Sequence, residues 1–153
     1  MKKKPNEIII PKDQALFWLD KNGRWHNEHG KFEHKKIIDY FHSCIKRDDK
    51  GYHLSQKRDN IQEKVYFHYE DTALFAVDLI KDKDITLILN TKKQIKLKPR
   101  NLFVRKDDLY MQMGAETIKF TERGLMKISD LMEYENDRFF IKIKNRRYKI
   151  LQK

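Results

Sequence analysis

The stretch that decides the fold is Glu63 to Asp78, which reads EKVYFHYEDTALFAVD. Its first part alternates polar residues with apolar or aromatic ones, which is the period of a half-buried strand. Residues 73–79 are almost wholly apolar, as in a strand that is buried on both faces. The polar residues between them, Glu70 to Thr72, predict a turn. We therefore expect two strands that meet at this turn, with one α+β unit before it and a second one after it.

The segments before the turn predict an edge strand, a hairpin, a helix and a strand. Asn22–Gly23 is a strong hairpin signal, since both residues tolerate positive φ. Residues 34–45 carry an apolar stripe with helical spacing. Residues 57–62 read as a polar loop. The predicted elements are the edge strand Ile8–Ile10, the helix His34–Ile45 and the strand Tyr52–Gln56.

The segments after the turn predict strands, then a second helix, then a last hairpin. Thr121 is the expected N-cap of a helix that runs to about Tyr134. Gly124 is expected to weaken the start of this helix by up to ~1 kcal/mol relative to alanine. The predicted strands are 85–90, 95–98, 102–104, 109–111, 117–120, 139–144 and 147–151.

The two halves of the chain match at a constant interval, which indicates an internal repeat. Any helix followed by a strand shows apolar periodicity, so the register shared by the helix and the strand is what favours a duplication. We expect an α+β fold with two structurally repeated lobes, each a curved, mostly antiparallel sheet with one amphipathic helix. The expected divisions are a tail and edge strand at 1–12 and lobes at 13–80 and 81–153 that share one core. The matching residues are Ile38, Phe41, Cys44, Ile45, Tyr52 and Leu54 with Leu125, Ile128, Leu131, Met132, Phe139 and Ile141.

The composition indicates a folded protein with an excess of basic charge. Charged residues make up 37% of the 153 positions, and the net charge is +11. This excess suits nucleic acid, anionic lipid headgroups or an acidic protein, but charges solvated all round the surface give the same total and are the preferred interpretation. The single cysteine, Cys44, excludes a disulfide within the chain and a cysteine-based zinc site. Cys44 lies on the apolar stripe of the first helix, so we expect it to be a core residue.

No apolar run approaches the ~20 residues that a membrane-spanning helix needs. Ile8–Ile10 is also too short for the apolar part of a signal peptide. We therefore expect a cytoplasmic protein without a membrane span, with a mobile tail at residues 1–6.

Several short motifs in the first half resemble the bacterial family named domain of unknown function 1285 (DUF1285). They occur in the family's order between residues 22 and 78. The chain departs from the family pattern at Asn22, which replaces Asp, at Tyr69, which replaces Val, and at 72–74, where Ala-Pro is expected. It also lacks a proline in the loop after Leu54. The motifs are Trp25 with Gly30, FHSCIKRD at 41–48, GYHL at 51–54, EK at 63–64 and EDTALF at 70–75.

This resemblance implies an α+β fold of repeated motifs. It implies no established activity, and a part in signalling is suggested for the family. The resemblance therefore predicts a fold without a mechanism.

The histidines His26, His29 and His34 have a spacing that could ligate a metal. They fall on a predicted strand, a turn and a helix start, and no cysteine or paired carboxylate completes the set. We predict no metal site and no cofactor.

The chain also lacks the short signatures of common enzymes. It has no nucleophile elbow, phosphate-binding Walker loop or dinucleotide fingerprint. Asp71 is expected to cap the turn and Glu63 to pair with a neighbouring cation. We predict a non-enzymatic regulatory or binding module without catalytic residues.

The leading hypothesis places the binding site in a groove between the two lobes. This groove would receive a small anion or a segment of a partner protein. The residues of the predicted groove are Trp25, Tyr52, Glu63, Tyr69, Glu70 and Asp71.

The alternative is a basic protein that binds nucleic acid through two hairpins of the second half. On an alternating strand, lysines at i and i+2 share a face and could follow phosphates, while Tyr148 or Phe103 could stack on a base. A lysine-bearing edge strand is also an ordinary protection against aggregation. The residues of this predicted patch are Lys92, Lys93, Lys96, Lys98, Lys142, Lys144, Arg146 and Arg147.

Overall fold

The computed structural model describes residues 6–153, which form an α+β fold that is mostly sheet. Strands account for 54% of the structure, and the described residues include two α-helices. The chain divides into two compact units, one ending at Ala73 and the other beginning at Leu74. The expected mobile tail lies outside the described residues, except for Asn6, which already belongs to a strand. No helix among residues 6–153 is long and apolar enough to cross a membrane.

Residues 6–73 of the first unit form eight strands, arranged in two hydrogen-bonded sheets, and one α-helix. One sheet has the order β1-β7-β6-β5 and the other has the order β4-β3-β2-β8. The chain passes from one sheet to the other at Phe67, whose side chain is fully buried. In chain order the elements are β1 (Asn6–Ile10), a 3-10 turn (Lys12–Gln14), β2 (Phe17–Leu19), β3 (Trp25–Asn27), β4 (Gly30–Lys31), α1 (Lys35–Ser43), β5 (Ile45–Asp48), β6 (Gly51–Arg58), β7 (Ile61–Tyr66) and β8 (His68–Tyr69).

The hairpin predicted at Asn22–Gly23 is confirmed, since Gly23 has a φ of 78° and β2 pairs with β3. Two other predictions for the first unit, the loop at 57–62 and the end of the first helix, are wrong. Residues 57–62 extend β6 and β7, leaving only Asp59 and Asn60 as a turn. The helix ends at Ser43, because the next residues pair with β6: the amide of Ser55 donates to the carbonyl of Cys44 at 2.9 Å. Cys44 is buried, as expected.

The second unit contains ten strands and one helix. A seven-stranded sheet has the order β11-β10-β9-β14-β13-β12-β18, and a three-stranded sheet has the order β15-β16-β17. In chain order the elements are β9 (Leu74–Lys81), β10 (Ile85–Leu89), β11 (Gln94–Lys96), a 3-10 turn (Pro99–Asn101), β12 (Leu102–Arg105), β13 (Asp108–Met113), β14 (Glu116–Phe120), α2 (Glu122–Ile128), a 3-10 turn (Ser129–Leu131), β15 (Met132–Glu135), β16 (Arg138–Ile143), β17 (Arg146–Lys149) and β18 (Leu151–Gln152).

Strand β9 lies in the interior of the seven-stranded sheet. It pairs antiparallel with β10 on one side and parallel with β14 on the other, which explains its almost wholly apolar start. The boundary expected after residue 80 lies at the far end of this strand. The two strands that flank the turn after Tyr69, β8 and β9, belong to separate sheets.

Helix α2 begins as expected and ends early. The hydroxyl of Thr121 accepts from the amide of Gly124 at 3.2 Å, which is the predicted N-cap. The helix ends at Ile128, and Met132–Glu135 form strand β15 instead of a last helical turn. The reason is pairing, because Met132 lies opposite Ile141 of β16. Each unit therefore has one α-helix, as predicted, but two sheets where a single curved one was expected.

Candidate anion-binding cleft

The second unit contains a cleft of about 380 Å³ between its two basic hairpins. Ile85, Leu97 and Pro99 form an apolar part of the wall. The rest of the lining is mostly charged or polar. The other lining residues are Asp84, Lys96, Ile143, Lys144, Arg146 and Tyr148.

The cleft exists because two distant hairpins meet. One is β10–β11, where Thr86 lies opposite Lys96. The other is β16–β17, whose turn holds Lys144 and Asn145 at φ values of 51° and 63°. The structure therefore brings together Lys96, Lys144 and Arg146 of the predicted basic patch.

Asp84 is the acidic residue of the cleft, and it contacts lysines from both hairpins. Its carboxylate accepts from Lys144 Nζ at 2.9 Å and lies 3.6 Å from Lys96 Nζ. The hydrogen bond from Lys144 lowers the pKa of Asp84. All three side chains are about half exposed or more, so these ion pairs add little stability. The lining holds three cationic side chains and one carboxylate, so the net charge of the cleft is positive.

Tyr148 carries two more contacts with cations. The guanidinium carbons of Arg100 and Arg146 each lie 5.3 Å from the centre of its ring. Phe103 is only 3% exposed and stacks on Tyr110 at 5.0 Å. Phe103 therefore has no open ring face on which a base could stack.

The other predicted patch residues lie outside the cleft lining. Lys92, Lys93 and Lys98 are exposed around β11, and Lys142 is exposed on β16. Arg147 lies 3.7 Å from the ring centre of Phe140 and pairs with two acidic residues. Its partners are Glu133 at 3.2 Å and Glu135 at 2.7 Å.

Asp84 belongs to this site although it was absent from the predicted patch. Asp84 lies in the charged joint DKD, which resembles any solvated turn. Arg100 follows Pro99 in a 3-10 turn and is placed by its contact with Tyr148. The pairings that gather these side chains are non-local, so no local pattern marks Asp84 as part of the site.

All six residues of the predicted groove lie in the first unit. Trp25 is 1% exposed and Tyr52 is 8% exposed. The Tyr52 and Tyr69 rings meet edge to face at 5.5 Å. The side chains of Trp25 and Tyr52 are therefore part of the core of the first unit.

The three carboxylates of that set have more exposed positions. Glu70 accepts a hydrogen bond from the backbone amide of Lys21 at 3.0 Å. Asp71 is half-buried, and Glu63 lies on β7 opposite Gln56. Glu70 thus ties the end of β8 to the turn after β2.

The three histidines considered as metal ligands have other surroundings. His26 Nε2 lies 2.7 Å from the Asp20 carboxylate, whereas His29 and His34 are exposed. Among residues 6–153, no group of three or more histidine, cysteine, aspartate or glutamate side chains is arranged to hold a metal ion.

Trp25 is held by a hydrogen bond inside an aromatic cluster. Its Nε1–H donates to His42 Nδ1 at 3.2 Å, so His42 accepts there as a neutral ring. Burial lowers the pKa of His42 from 6.5 to about 4, while the charge of Asp39 acts in the opposite direction. Burial also lowers the pKa of His53.

The lowered pKa values of His42 and His53 predict that the protein loses stability in mild acid. The unfolded chain binds the proton near pH 6.5 and the folded chain only near pH 4, so acidification favours unfolding. The contribution of His42 is complete above pH 6.5 and is lost as the pH falls towards 4. At ~1.4 kcal/mol per pKa unit, it amounts to about 3 kcal/mol. Urea unfolding between pH 7.5 and 4.5 measures this loss.

His42→Gln separates this effect from general acid sensitivity, since a glutamine oxygen can accept from Trp25 and does not titrate. We expect a flatter pH dependence in this variant and an unchanged one in His29→Gln, which alters an exposed histidine. Equal slopes in all three proteins would contradict the prediction.

Comparison with solved structures shows which known proteins share this fold. No protein-family model matches the chain, and no curated protein matches it. Two crystal structures of DUF1285 family proteins do. The protein from Silicibacter pomeroyi DSS-3 has a TM-score of 0.63 at 14% identity, over 95% of this chain and 84% of its own. The protein from Shewanella baltica OS155 has a TM-score of 0.54 at 17% identity, over 75% of this chain and 91% of its own.

The first of these matches extends over nearly the whole chain, whereas the sequence motifs covered only residues 22–78. At 14% and 17% identity, the likeness concerns the backbone arrangement and not the residues of a site. The resemblance predicted from the sequence is confirmed at that level: this chain has the fold of the DUF1285 family proteins.

Proposed function

We propose that this protein is a non-enzymatic binding module that takes an anionic ligand in the cleft of its second unit. The observation that carries the proposal is the meeting of Lys96, Lys144 and Arg146, which come from two hairpins far apart in the sequence. The Asp84 carboxylate compensates only part of the positive charge of these three cations, and an anionic ligand would compensate the rest.

The size and the lining of the cleft support this proposal. Its volume of about 380 Å³ lies within the ~300–1,000 Å³ typical of small-ligand sites. Such sites combine an apolar wall with a few convergent polar groups. Here Ile85, Leu97 and Pro99 supply the wall, and three cations supply the groups that orient a ligand.

We also propose that the two units are structural duplicates, with the cleft on the second copy. The element order supports this: β1 to β8 and α1 have counterparts in β11 to β18 and α2. Sheet order β4-β3-β2-β8 corresponds to β14-β13-β12-β18. The pair Ile45–Leu54 corresponds to Met132–Ile141, the same residues that match in the sequence.

Nucleic-acid binding is the second candidate function, supported by the net charge of +11 and by the same cations. Phe103 is buried and Tyr148 is already in contact with two arginines, so the rings expected to stack on bases are engaged. These contacts favour the small anion over a single strand.

The hypothesis of a groove lined by the six first-unit residues stays a prediction. Glu63, Tyr69 and Asp71 are half-buried and Glu70 is exposed, so these four have surface to offer a ligand. Their three carboxylates suit a cationic or neutral group better than an anion. We therefore place the anion in the second unit.

The test uses tripolyphosphate, a compact polyanion, titrated by calorimetry at two salt concentrations. In Lys144→Gln/Arg146→Gln we expect binding weaker by about tenfold or more, since each charge-assisted hydrogen bond contributes about 1.5–3 kcal/mol before solvent screening. The matched control is Lys57→Gln/Arg58→Gln, which removes one lysine and one arginine from the exposed end of β6.

Unchanged binding in the control and loss in the cleft variant would support the proposal. Equal weakening in both would mean that net charge, not the cleft, attracts the anion. A preference for long oligonucleotides over tripolyphosphate, lost at higher salt, would promote the second candidate. Adding Glu63→Gln/Asp71→Asn is expected to leave tripolyphosphate affinity unchanged.

A further inference from the structure

The first strands of the two units differ in the strand with which they pair. In the first unit β1 lies parallel to β7, from Asn6 opposite Ile61 to Ile10 opposite Val65. The corresponding strand of the second unit, β11, pairs antiparallel with β10 instead. Among residues 6–153, the place that β1 occupies beside β7 therefore has no matching strand beside β17.

Strand β17 is consequently an edge strand. Its inner side pairs with β16, and within residues 6–153 no strand pairs with its outer side. The cleft lies along this strand, since β11 and the following turn contribute Lys96, Leu97 and Pro99 while β17 contributes Arg146 and Tyr148. An unpaired edge presents a row of backbone donors and acceptors, which is a template for one more strand.

We propose that the outer edge of β17 accepts an extended, acidic segment of a partner protein, which adds as a strand in the way that β1 adds to β7. This inference rests on the proposed function, because it names the anionic ligand of the same cleft. In such strand addition, main-chain hydrogen bonds give affinity and alternate side chains give specificity.

The charges along the edge select acidic residues at every second position. Arg146 and Tyr148 project to the cleft side, where Lys96 and Lys144 also lie. An added strand would direct residues i and i+2 towards these cations. Arg147, on the opposite face, is already paired with Glu133 and Glu135. Acidic side chains of the added strand would therefore pair mainly with the cations on the cleft side.

The first unit contains an example of this charge pairing. Glu7 on β1 lies 3.1 Å from Lys64 on β7, so an acidic side chain of the added strand pairs with a basic side chain of the receiving strand. The hydrogen bond with Glu7 raises the pKa of Lys64. The receiving strand of the second unit, with RRYK at 146–149, is more basic.

The test compares two fluorescent heptapeptides by anisotropy, VEVEVEV and PEPEPEP. Both carry three glutamates, but the prolines remove backbone donors and prevent strand pairing. We expect the valine peptide to bind at least tenfold more tightly than the proline peptide. We expect Lys144→Gln/Arg146→Gln to lose this binding and Lys57→Gln/Arg58→Gln to retain it.

Amide exchange gives a second readout that charge alone would not change. Binding of the valine peptide should slow hydrogen exchange of amides in Arg146–Lys149, while those of the opposite edge strand, β15, keep their rates. Equal affinity for both peptides would overturn the strand addition. Tighter binding of a single-stranded oligonucleotide of equal charge would overturn it in favour of nucleic acid.

The outcomes separate this inference from the proposed function. Binding of tripolyphosphate to the cleft without binding of the valine peptide would overturn the inference and leave the proposed function standing. Failure of both probes would overturn both. Concentration-dependent dimerisation that Lys144→Gln/Arg146→Gln abolishes would identify a second copy of the chain as the occupant and overturn the partner protein.

Discussion

Trp25→Ala is expected to lower the free energy of unfolding by about 3–5 kcal/mol, the cost of replacing a fully buried large aromatic residue with alanine. Trp25 is 1% exposed, and its ring lies 5.0 Å from Phe67 and 5.5 Å from Phe41, both edge to face. Truncation leaves a cavity in the aromatic cluster and removes the donor to His42. For a chain of this length the melting temperature should fall by roughly 10 °C.

Trp18→Ala is the matched control, because this second tryptophan is 38% exposed at the surface of β2. It stacks on His26 at 5.7 Å, and we expect its loss to cost no more than about 1 kcal/mol. Unchanged stability in Trp25→Ala would contradict this prediction. It would show that the core does not depend on the Trp25 side chain, which could then bind a ligand, as the groove hypothesis requires.

Gly124→Ala is expected to destabilise the second unit, by about 1–3 kcal/mol or more. Helix propensity alone predicts the opposite, because alanine is favoured over glycine in a helix by up to ~1 kcal/mol. A Cβ at position 124 would lie 2.4 Å from the carbonyl oxygen of Ala76. That atom is part of the backbone of β9, so the helix itself must move.

The space beside Gly124 is fixed by hydrogen bonds between the start of α2 and strand β9. The Ala76 oxygen already accepts from the amide of Thr121 at 3.0 Å and from its hydroxyl at 3.2 Å, which ties the start of α2 to β9. A shift of the helix would strain these bonds. Urea unfolding of Gly124→Ala measures the sign, and an increase in stability would show that the helix moves away from β9 at little cost.

Met126→Ala is the control for this variant. Met126 is 70% exposed on the same helix, so alanine there changes propensity without a clash. We expect its stability to change by less than about 0.5 kcal/mol. The contrast between positions 124 and 126 isolates the contact between α2 and Ala76.

Local sequence signals predicted the elements whose bonds form between near neighbours. The hairpin at Asn22–Gly23 follows from two residues that accept positive φ. The N-cap at Thr121 follows from a side chain that binds an amide three residues away. Periodicity also marked residues 63–78 as strands on either side of a turn, and the order of motifs indicated the family fold.

The ends of elements were predicted less well where pairing decided them. Residues 57–62 are polar except for Ile61, yet they continue two strands because β6 and β7 pair as far as Arg58 and Ile61. Helix α2 stops at Ile128 because the next residues pair with β16. In both cases partners elsewhere in the unit override the local preference.

The sequence by itself determined the α+β class, one helix in each half and the basic hairpins. Only the tertiary structure decided which of those lysines and arginines meet. The parallel pairs β1–β7, β2–β8, β14–β9 and β12–β18 join strands distant in the chain. Such pairs satisfy the same backbone groups whichever partner is chosen, so they leave no local pattern in the sequence. The edge of β17 that pairs with no strand of residues 6–153, the cleft beside it and the closed space at Gly124 all result from that choice.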